Sequence, residues 1–224
     1  MARRSRSANG QASVFARRLP GYTVTSGESI PAYALFGRNR EVSLASSTLD
    51  KSEALVELVD RLVGMGHRRI VNIATEDRRK PTPGALERLY LEQLQKHGIR
   101  TGSYNLPDWE EEPEGLIHLL DSLLKHTPPT AVLVDKPTHF FAIKDYLGRR
   151  GLHSPEHVSM ACLDYDLSFE WCRPSTTHVS WNSSSIINRV VKWVNNVSRR
   201  KEDYVKQSTQ AKLVLGGTIG PAAR

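Results

Sequence analysis

Two aspartates stand directly after short apolar runs, and their carboxylates are the side chains best placed to do chemistry. Asp135 follows Ala131-Val132-Leu133-Val134, and Asp164 ends the run that starts at Val158. Such runs predict buried strands of a parallel sheet, and these sheets bind ligands at the carboxyl ends of their strands. A carboxylate there accepts hydrogen bonds from the hydroxyls of a small polar molecule, although an acid can also cap the following turn. We favour ligand binding for Asp164.

Sequence motifs of common enzymes are missing. The chain has no Gly-x-Ser-x-Gly, no P-loop and no Gly-x-Gly-x-x-Gly after a predicted strand. Its two cysteines, Cys162 and Cys172, are best interpreted as reduced thiols of a cytosolic protein. We therefore expect no enzymatic activity, no metal and no cofactor. An α/β enzyme that uses Asp135, Asp164 or Asp166 as acid or base remains an alternative.

Positive charge is concentrated at the start of the chain. The net charge is +7, yet the first forty residues contain seven arginines and only one acid, Glu28. The rest of the chain is nearly neutral, which argues against a nucleic-acid-binding body. Residues 1–27 are rich in Arg, Ser, Ala and Gly without a sustained period, so we predict a disordered basic arm there. No stretch approaches the ~20 apolar residues of a membrane span.

Strands and helices alternate along the remaining sequence, which predicts an α/β fold with a parallel sheet. One helix opens at Asp50 and ends at Gly66, and a second starts with Thr82 as its N-cap and ends at Gly98. Further helices are predicted through residues 116–124, over 138–149 and after the cap Asn182. Strands are predicted over 30–36, 70–74, 101–106, 131–134, 158–163, 177–181 and 212–215.

Three segments of this series resemble the effector-binding region of the LacI/GalR family of bacterial transcription regulators. They are Gly66-His67-Arg68-Arg69-Ile70, the Pro129-Thr130-Ala131 entry to a strand, and Val158-Ser159 running to Asp164. The resemblance extends from about residue 30 to the C-terminus. It implies a three-layer, parallel-sheet fold like that of periplasmic binding proteins, with a complete C-terminal lobe and a partial N-terminal lobe.

The resemblance also implies a domain map. Residues 28–46 and 176–203 correspond to the partial N-terminal lobe, and residues 47–175 and 204–224 to the C-terminal, effector-binding lobe. The helix-turn-helix headpiece of the family has no counterpart here, so the chain looks truncated at its N-terminus. An apolar helix face with few partner strands motivates that hypothesis. It consists of Ile187, Val190, Val191 and Val194.

The family's ligand contacts can be carried over residue by residue. Asp164 matches the sugar-binding aspartate, Asp135 lies near the family's Asn-Asp pair, and Trp109 falls where an aromatic side chain contacts the ligand. Trp181 lies at the lobe crossover. The ligand-binding arginine is replaced by Leu86, which leaves Arg78 and Arg79 of the preceding loop to substitute. From that segment Arg79 and Thr82 complete the expected ligand contacts.

These features favour the ligand-sensing region of a LacI-type transcriptional regulator. It would bind a small polar effector such as a sugar between two lobes, form a homodimer in the cytoplasm, and reach DNA only through a segment outside this chain. A stand-alone sugar-binding protein without regulatory output is the second hypothesis, and the α/β enzyme is the third.

Overall fold

The computed structural model describes residues 31–36 and 44–223, which separate into two compact units. Of the described residues, the first unit holds those up to Asp50 together with Trp181–Gln210, and the second holds Lys51–Ser180 and those from Ala211 onward. The predicted basic arm, residues 1–27, lies outside the described ranges. None of the described helices combines the length and apolarity that are needed to cross a bilayer.

A parallel sheet forms the centre of the second unit. Its strands, in spatial order, are β3 (Ile70–Ile73), β4 (Ala131–Val134), β5 (Ser159–Cys162) and β6 (Thr177–Trp181), the last residue of which belongs to the first unit. Every residue of β3, β4 and β5 is buried, as expected of strands covered on both faces. The last residues of these three strands are paired in register, so the strands end at the same level.

Helices supply the two outer layers of this unit. α4 (Pro113–His126) and α5 (Pro137–Gly148) bury leucine and aromatic side chains against one face of the sheet. α1 (Ser52–Gly64) and α3 (Ala85–Lys96) pack against each other, and their apolar stripes are buried as well. A single turn of helix, α2 (Glu76–Arg79), and a 3₁₀ helix (Leu167–Trp171) follow β3 and β5 respectively.

The first unit contains a second set of parallel strands. β2 (Ala45–Asp50) pairs with β1 (Tyr33–Leu35) on one side and with the start of β7 (Lys206–Val214) on the other. α6 (Ser183–Ser198) packs on β2. A buried ion pair between Arg189 and Asp203 links this helix to the segment that enters β7.

The predicted α/β class and parallel sheet are confirmed, as are the helices of residues 113–148 and the Asn182 cap, whose side chain accepts from Ser184 N. Several boundaries were wrong. Asp50 ends strand β2 rather than opening α1, because the chain stays extended until Lys51. Thr82 does not cap α3, which begins three residues later after Gly84. Residues 101–106 form turns, not a strand.

The apolar face predicted on α6, for which few partner strands were expected, is partly exposed. Ile187 and Val191 are 57% and 52% exposed, whereas Ile186, Arg189 and Val197 point into the unit. The buried stripe is therefore rotated by about one residue from the run of aliphatic side chains. The sequence pattern did not indicate that the charged Arg189 is buried, which its pairing with Asp203 allows.

Candidate functional site

Polar residues follow the carboxyl ends of three adjacent strands in the second unit. Thr75 comes shortly after β3, Asp135 directly follows β4, and Asp164 follows β5 by one residue. Thr75 and Asp135 are close enough for a hydrogen bond of 3.2 Å from Thr75 N to Asp135 Oδ2. In-register parallel strands end together, and this brings side chains that are far apart in sequence to one edge of the sheet.

Asp164 retains a solvent-accessible carboxylate. Its side chain is 34% exposed, and Oδ1 accepts a hydrogen bond of 2.8 Å from Tyr165 N. Beside it, the buried ammonium of Lys51 donates to Leu163 O at 2.5 Å and lies 3.9 Å from Asp164 Oδ1. Burial lowers the pKa of Lys51, and the Asp164 carboxylate opposes that change. The Asp164 carboxylate is therefore accessible to a ligand, while the Lys51 ammonium holds the backbone of the preceding Leu163.

Asp135 is a buried member of an ionic cluster that also has partly exposed members. Arg78 Nε lies 3.5 Å from Asp135 Oδ2, and Arg78 Nη1 lies 3.5 Å from Glu87 Oε1. Burial raises the pKa of Asp135 to about 6, although Arg78 opposes the rise. For Arg78, burial would lower the pKa, but the two carboxylates more than compensate and raise it. We call Lys51, Arg78, Glu87, Asp135 and Asp164 the strand-end cluster.

Trp109 and Arg79 make contacts within the protein. The Trp109 indole is buried in the core, donates to Ala74 O at 3.0 Å and meets His139 edge to face at 5.3 Å. Arg79 is buried too, and its guanidinium donates to Ala74 O, to Trp109 O and to the Asp108 carboxylate. These bonds hold the segment 107–109 on the end of β3. A ligand-binding role for either residue stays a prediction.

The two remaining predicted contacts lie elsewhere along the fold. Thr82 is exposed in the loop before α3. Trp181 is the last residue of β6 and belongs to the first unit, whereas the other five predicted residues belong to the second. The ligand-binding roles of Thr82, Trp181, Asp135 and Asp164 likewise stay predictions.

Two members of the strand-end cluster were missed by the sequence analysis. Lys51 was overlooked because it stands among polar residues at the start of a helix, where lysine is ordinarily solvated. Glu87 was overlooked because acids on amphipathic helices usually face water, yet its side chain is 0% exposed. The available signal for Glu87 was its helical spacing to the buried Tyr90 and Leu94.

A second polar group borders the strand-end cluster. The Glu111 carboxylate accepts from Glu76 N at 2.7 Å and from Lys136 Nζ at 2.5 Å, and it lies 3.9 Å from His139 Nε2. Burial would raise the pKa of Glu111, but these donors lower it. The described residues include no group of three or more side chains that could hold a metal ion.

A histidine pair at His-x-x-x-His spacing also escaped the sequence analysis. His153 and His157 have ring centroids 6.0 Å apart, but His157 Nδ1 accepts from the His153 backbone N–H. That bond closes a local turn. The pair is accordingly part of a loop before β5 and no third metal ligand accompanies it in the described part of the chain.

Comparison with known proteins agrees with this geometry. Residues 59–219 match the periplasmic binding protein-like domain. Among curated proteins, no significant relative was found. Solved structures with the same fold include a LacI transcriptional regulator from Rhodococcus species (23% identity, TM-score 0.72), aligned over 87% of this chain and 72% of that one.

Two further structures illustrate the same fold. One is the Escherichia coli transcriptional repressor ascG (20% identity, TM-score 0.68; 87% and 71% of the two chains). The other is a LacI family regulator from Enterococcus faecium with bound ribose (14% identity, TM-score 0.70; 85% and 71%). The match over most of the chain, together with the parallel sheet and its polar strand ends, shows that this protein belongs to the periplasmic binding protein-like domain family.

Proposed function

We propose that this chain is the ligand-sensing region of a LacI-type transcriptional regulator and binds a small polar effector, such as a sugar, at the strand ends of its second unit. The observation that carries the proposal is the convergence of Thr75, Asp135 and Asp164 at one edge of a parallel sheet. Solved structures of this fold support it, since one regulator is described with bound ribose and another with cellobiose.

The architecture of the chain supports the domain assignment. The second unit contains the strand-end cluster, and we assign it to the C-terminal, effector-binding lobe of residues 47–175 and 204–224. The first unit then represents part of an N-terminal lobe, residues 28–46 and 176–203. We further propose that the protein acts as a cytoplasmic homodimer, that it has no catalytic role, and that DNA is read by a segment outside the 224 residues.

Isothermal titration with neutral monosaccharides and disaccharides tests effector binding. We expect the whole chain to bind at least one sugar saturably. The affinity for that sugar should fall about tenfold or more in Asp164→Asn, because a hydrogen bond to a charged acceptor contributes ~1.5–3 kcal/mol. Asp145→Asn is the matched control, because its carboxylate is exposed and pairs with Arg149 on α5. Equal losses in both variants, or no binding to any sugar, contradict the proposal.

A stand-alone binding protein shares this site but lacks regulatory output. We expect the purified chain to bind operator-like DNA weakly and without sequence preference, because its positive charge is concentrated in the first forty residues. Fluorescence anisotropy at physiological salt measures this. Tight, sequence-specific binding by the chain itself would refute the assignment of DNA reading to another segment.

A further inference from the structure

Asp135 places a buried carboxylate oxygen at the strand ends of the second unit. The residue is 6% exposed; its Oδ2 accepts from Thr75 N and faces Arg78, whereas Oδ1 has no hydrogen-bond partner among the described residues. A buried polar atom without a partner costs about 1–3 kcal/mol, and more when the group is charged. Native structures rarely retain such an atom without a reason. Its position at the strand ends indicates that a ligand supplies the missing donor.

The cations of the strand-end cluster are already engaged by the protein. Arg78 lies between Asp135 and Glu87, and Lys51 donates to Leu163 O beside Asp164. Among the described residues, the three carboxylates of this cluster face two cations, an excess of one negative charge. An anionic ligand would have to displace one of these carboxylates from its cation, and burial makes that costly.

The surrounding residues carry a charge of the same sign. Polar contacts link the start of α2 and the segment 108–111 to the end of β4. This group comprises four carboxylates and three cations, again an excess of one negative charge; its members are Glu76, Asp77, Arg79, Lys80, Asp108, Glu111 and Lys136. The whole chain carries +7, so the acidic excess is a local property of this edge.

We propose that the effector carries an ammonium group, as an amino sugar does, and that this group donates to Asp135 Oδ1 while the hydroxyls of the effector meet Asp164. The inference rests on the proposed function and names its ligand class. An ammonium group offers three donors and one positive charge, so it satisfies the orphan oxygen and neutralises the excess charge together. A neutral hydroxyl supplies the donor without the charge.

Calorimetric titration of the whole chain with matched sugars tests this inference. The pairs are glucosamine with glucose and galactosamine with galactose at pH 7, with the N-acetylated sugars as neutral controls of similar shape. We expect the amine of at least one pair to bind about tenfold more tightly, because the ammonium adds the attraction between opposite charges to a hydrogen bond that a hydroxyl can also donate. The N-acetylated sugars should lose that advantage.

Asp135→Asn should abolish the preference for the amine, so that the amine and the neutral sugar of each pair bind the variant with affinities within about threefold of each other. Asp145→Asn serves again as the control and should keep the preference. If Asp135→Asn does not fold, the unmodified chain provides the test, because protonation of Asp135 below pH 6 should shrink the preference between pH 7 and pH 5. The charged groups that face Asp135 are Arg78, Glu87 and Lys51.

The outcomes separate the two proposals. If neutral sugars bind and their amines bind no better, the ammonium inference fails and the proposed function stands. A preference that survives in Asp135→Asn, or that is equal at pH 7 and pH 5, also overturns the inference. If a sugar phosphate binds more tightly than the amine, the charge argument is wrong. If no sugar of any charge binds, the proposed function fails and the inference fails with it.

Discussion

Arg78 Nε lies 3.5 Å from Asp135 Oδ2, and the same guanidinium reaches Glu87 on α3 at the same distance. This contact joins the short helix after β3 to the end of β4. Burial nonetheless raises the pKa of Asp135 to about 6, so the guanidinium only partly offsets the cost of the buried charge. At neutral pH the protein therefore maintains an ionised carboxylate at an energetic cost to its own stability.

Replacement of Asp135 by asparagine should remove one pH-dependent contribution to stability. The folded pKa of about 6 lies above the ordinary value of 3.8, so the native state binds more protons between these values. The contribution of Asp135 to stability is present at low pH and is lost as pH rises through about 6. Relative to the unmodified chain, Asp135→Asn should gain about 2 kcal/mol in the free energy of unfolding between pH 4 and pH 7.

Urea unfolding at pH 4, 5, 6 and 7 measures this difference, in which the other titrating groups cancel. Asp145→Asn, at an exposed position on α5, should give a difference that varies little over the same range. A difference between Asp135→Asn and the unmodified chain that is independent of pH would contradict the assigned pKa.

The ion pair between Arg189 and Asp203 should be essential to the first unit. The two guanidinium nitrogens donate to the two carboxylate oxygens at 2.9 and 2.5 Å, and both side chains are less than 5% exposed. Arg189→Met would leave the Asp203 carboxylate buried without its cation, so we expect a loss of about 3–5 kcal/mol. The free energy of unfolding in urea, followed by tryptophan fluorescence, reports the loss.

An exposed pair provides the control for that measurement. Arg61 donates twice to Glu57 on α1, but both side chains are more than 40% exposed. Arg61→Met should therefore change the free energy of unfolding by less than about 1 kcal/mol. Comparable losses in the two variants would show that burial does not decide the importance of these pairs.

Gly115 should be intolerant of any side chain, although it lies within a helix. A Cβ built there would lie 2.2 Å from the carbonyl oxygen of Glu110, so Gly115→Ala should cost about 1–3 kcal/mol. Gly64, in α1, has nothing within 4 Å of the same added atom, and Gly64→Ala should stabilise the protein by about 0.5–1 kcal/mol. The thermal unfolding temperature should fall in Gly115→Ala and rise in Gly64→Ala. A higher unfolding temperature in Gly115→Ala would contradict the close contact.

The two cysteines should differ sharply in their reactivity toward a thiol reagent. Cys162 ends β5, is fully buried, and has a pKa that burial raises to about 12, whereas Cys172 is partly exposed. The thiolate is the reactive form, so only one thiol should react in the native protein and a second only after denaturation. Cys172→Ser should abolish the native reaction. Fast labelling that persists in this variant would mean that the end of β5 opens readily.

The alternation of apolar runs and amphipathic helices was sufficient to predict the fold class. The runs at residues 131–134 and 158–163 contain no polar alternation, and only strands covered on both faces bury such runs completely. The same pattern placed Asp135 and Asp164 directly after strands. Glycines with a positive φ at 66 and 98 ended two helices as expected, since this conformation strains other residues.

The tertiary structure decided what lies beside those aspartates. Lys51 and Glu87 follow patterns typical of solvated side chains, and only the packing of α1 and α3 against the sheet buries them. The helix start predicted at Asp50 was wrong for a similar reason. Asp50 is a good cap by residue type, but as the last residue of β2 it pairs with Gln210 of β7, which is 160 positions away in the sequence. Charge burial and strand partnership depend on long-range contacts, and a local pattern cannot contain them.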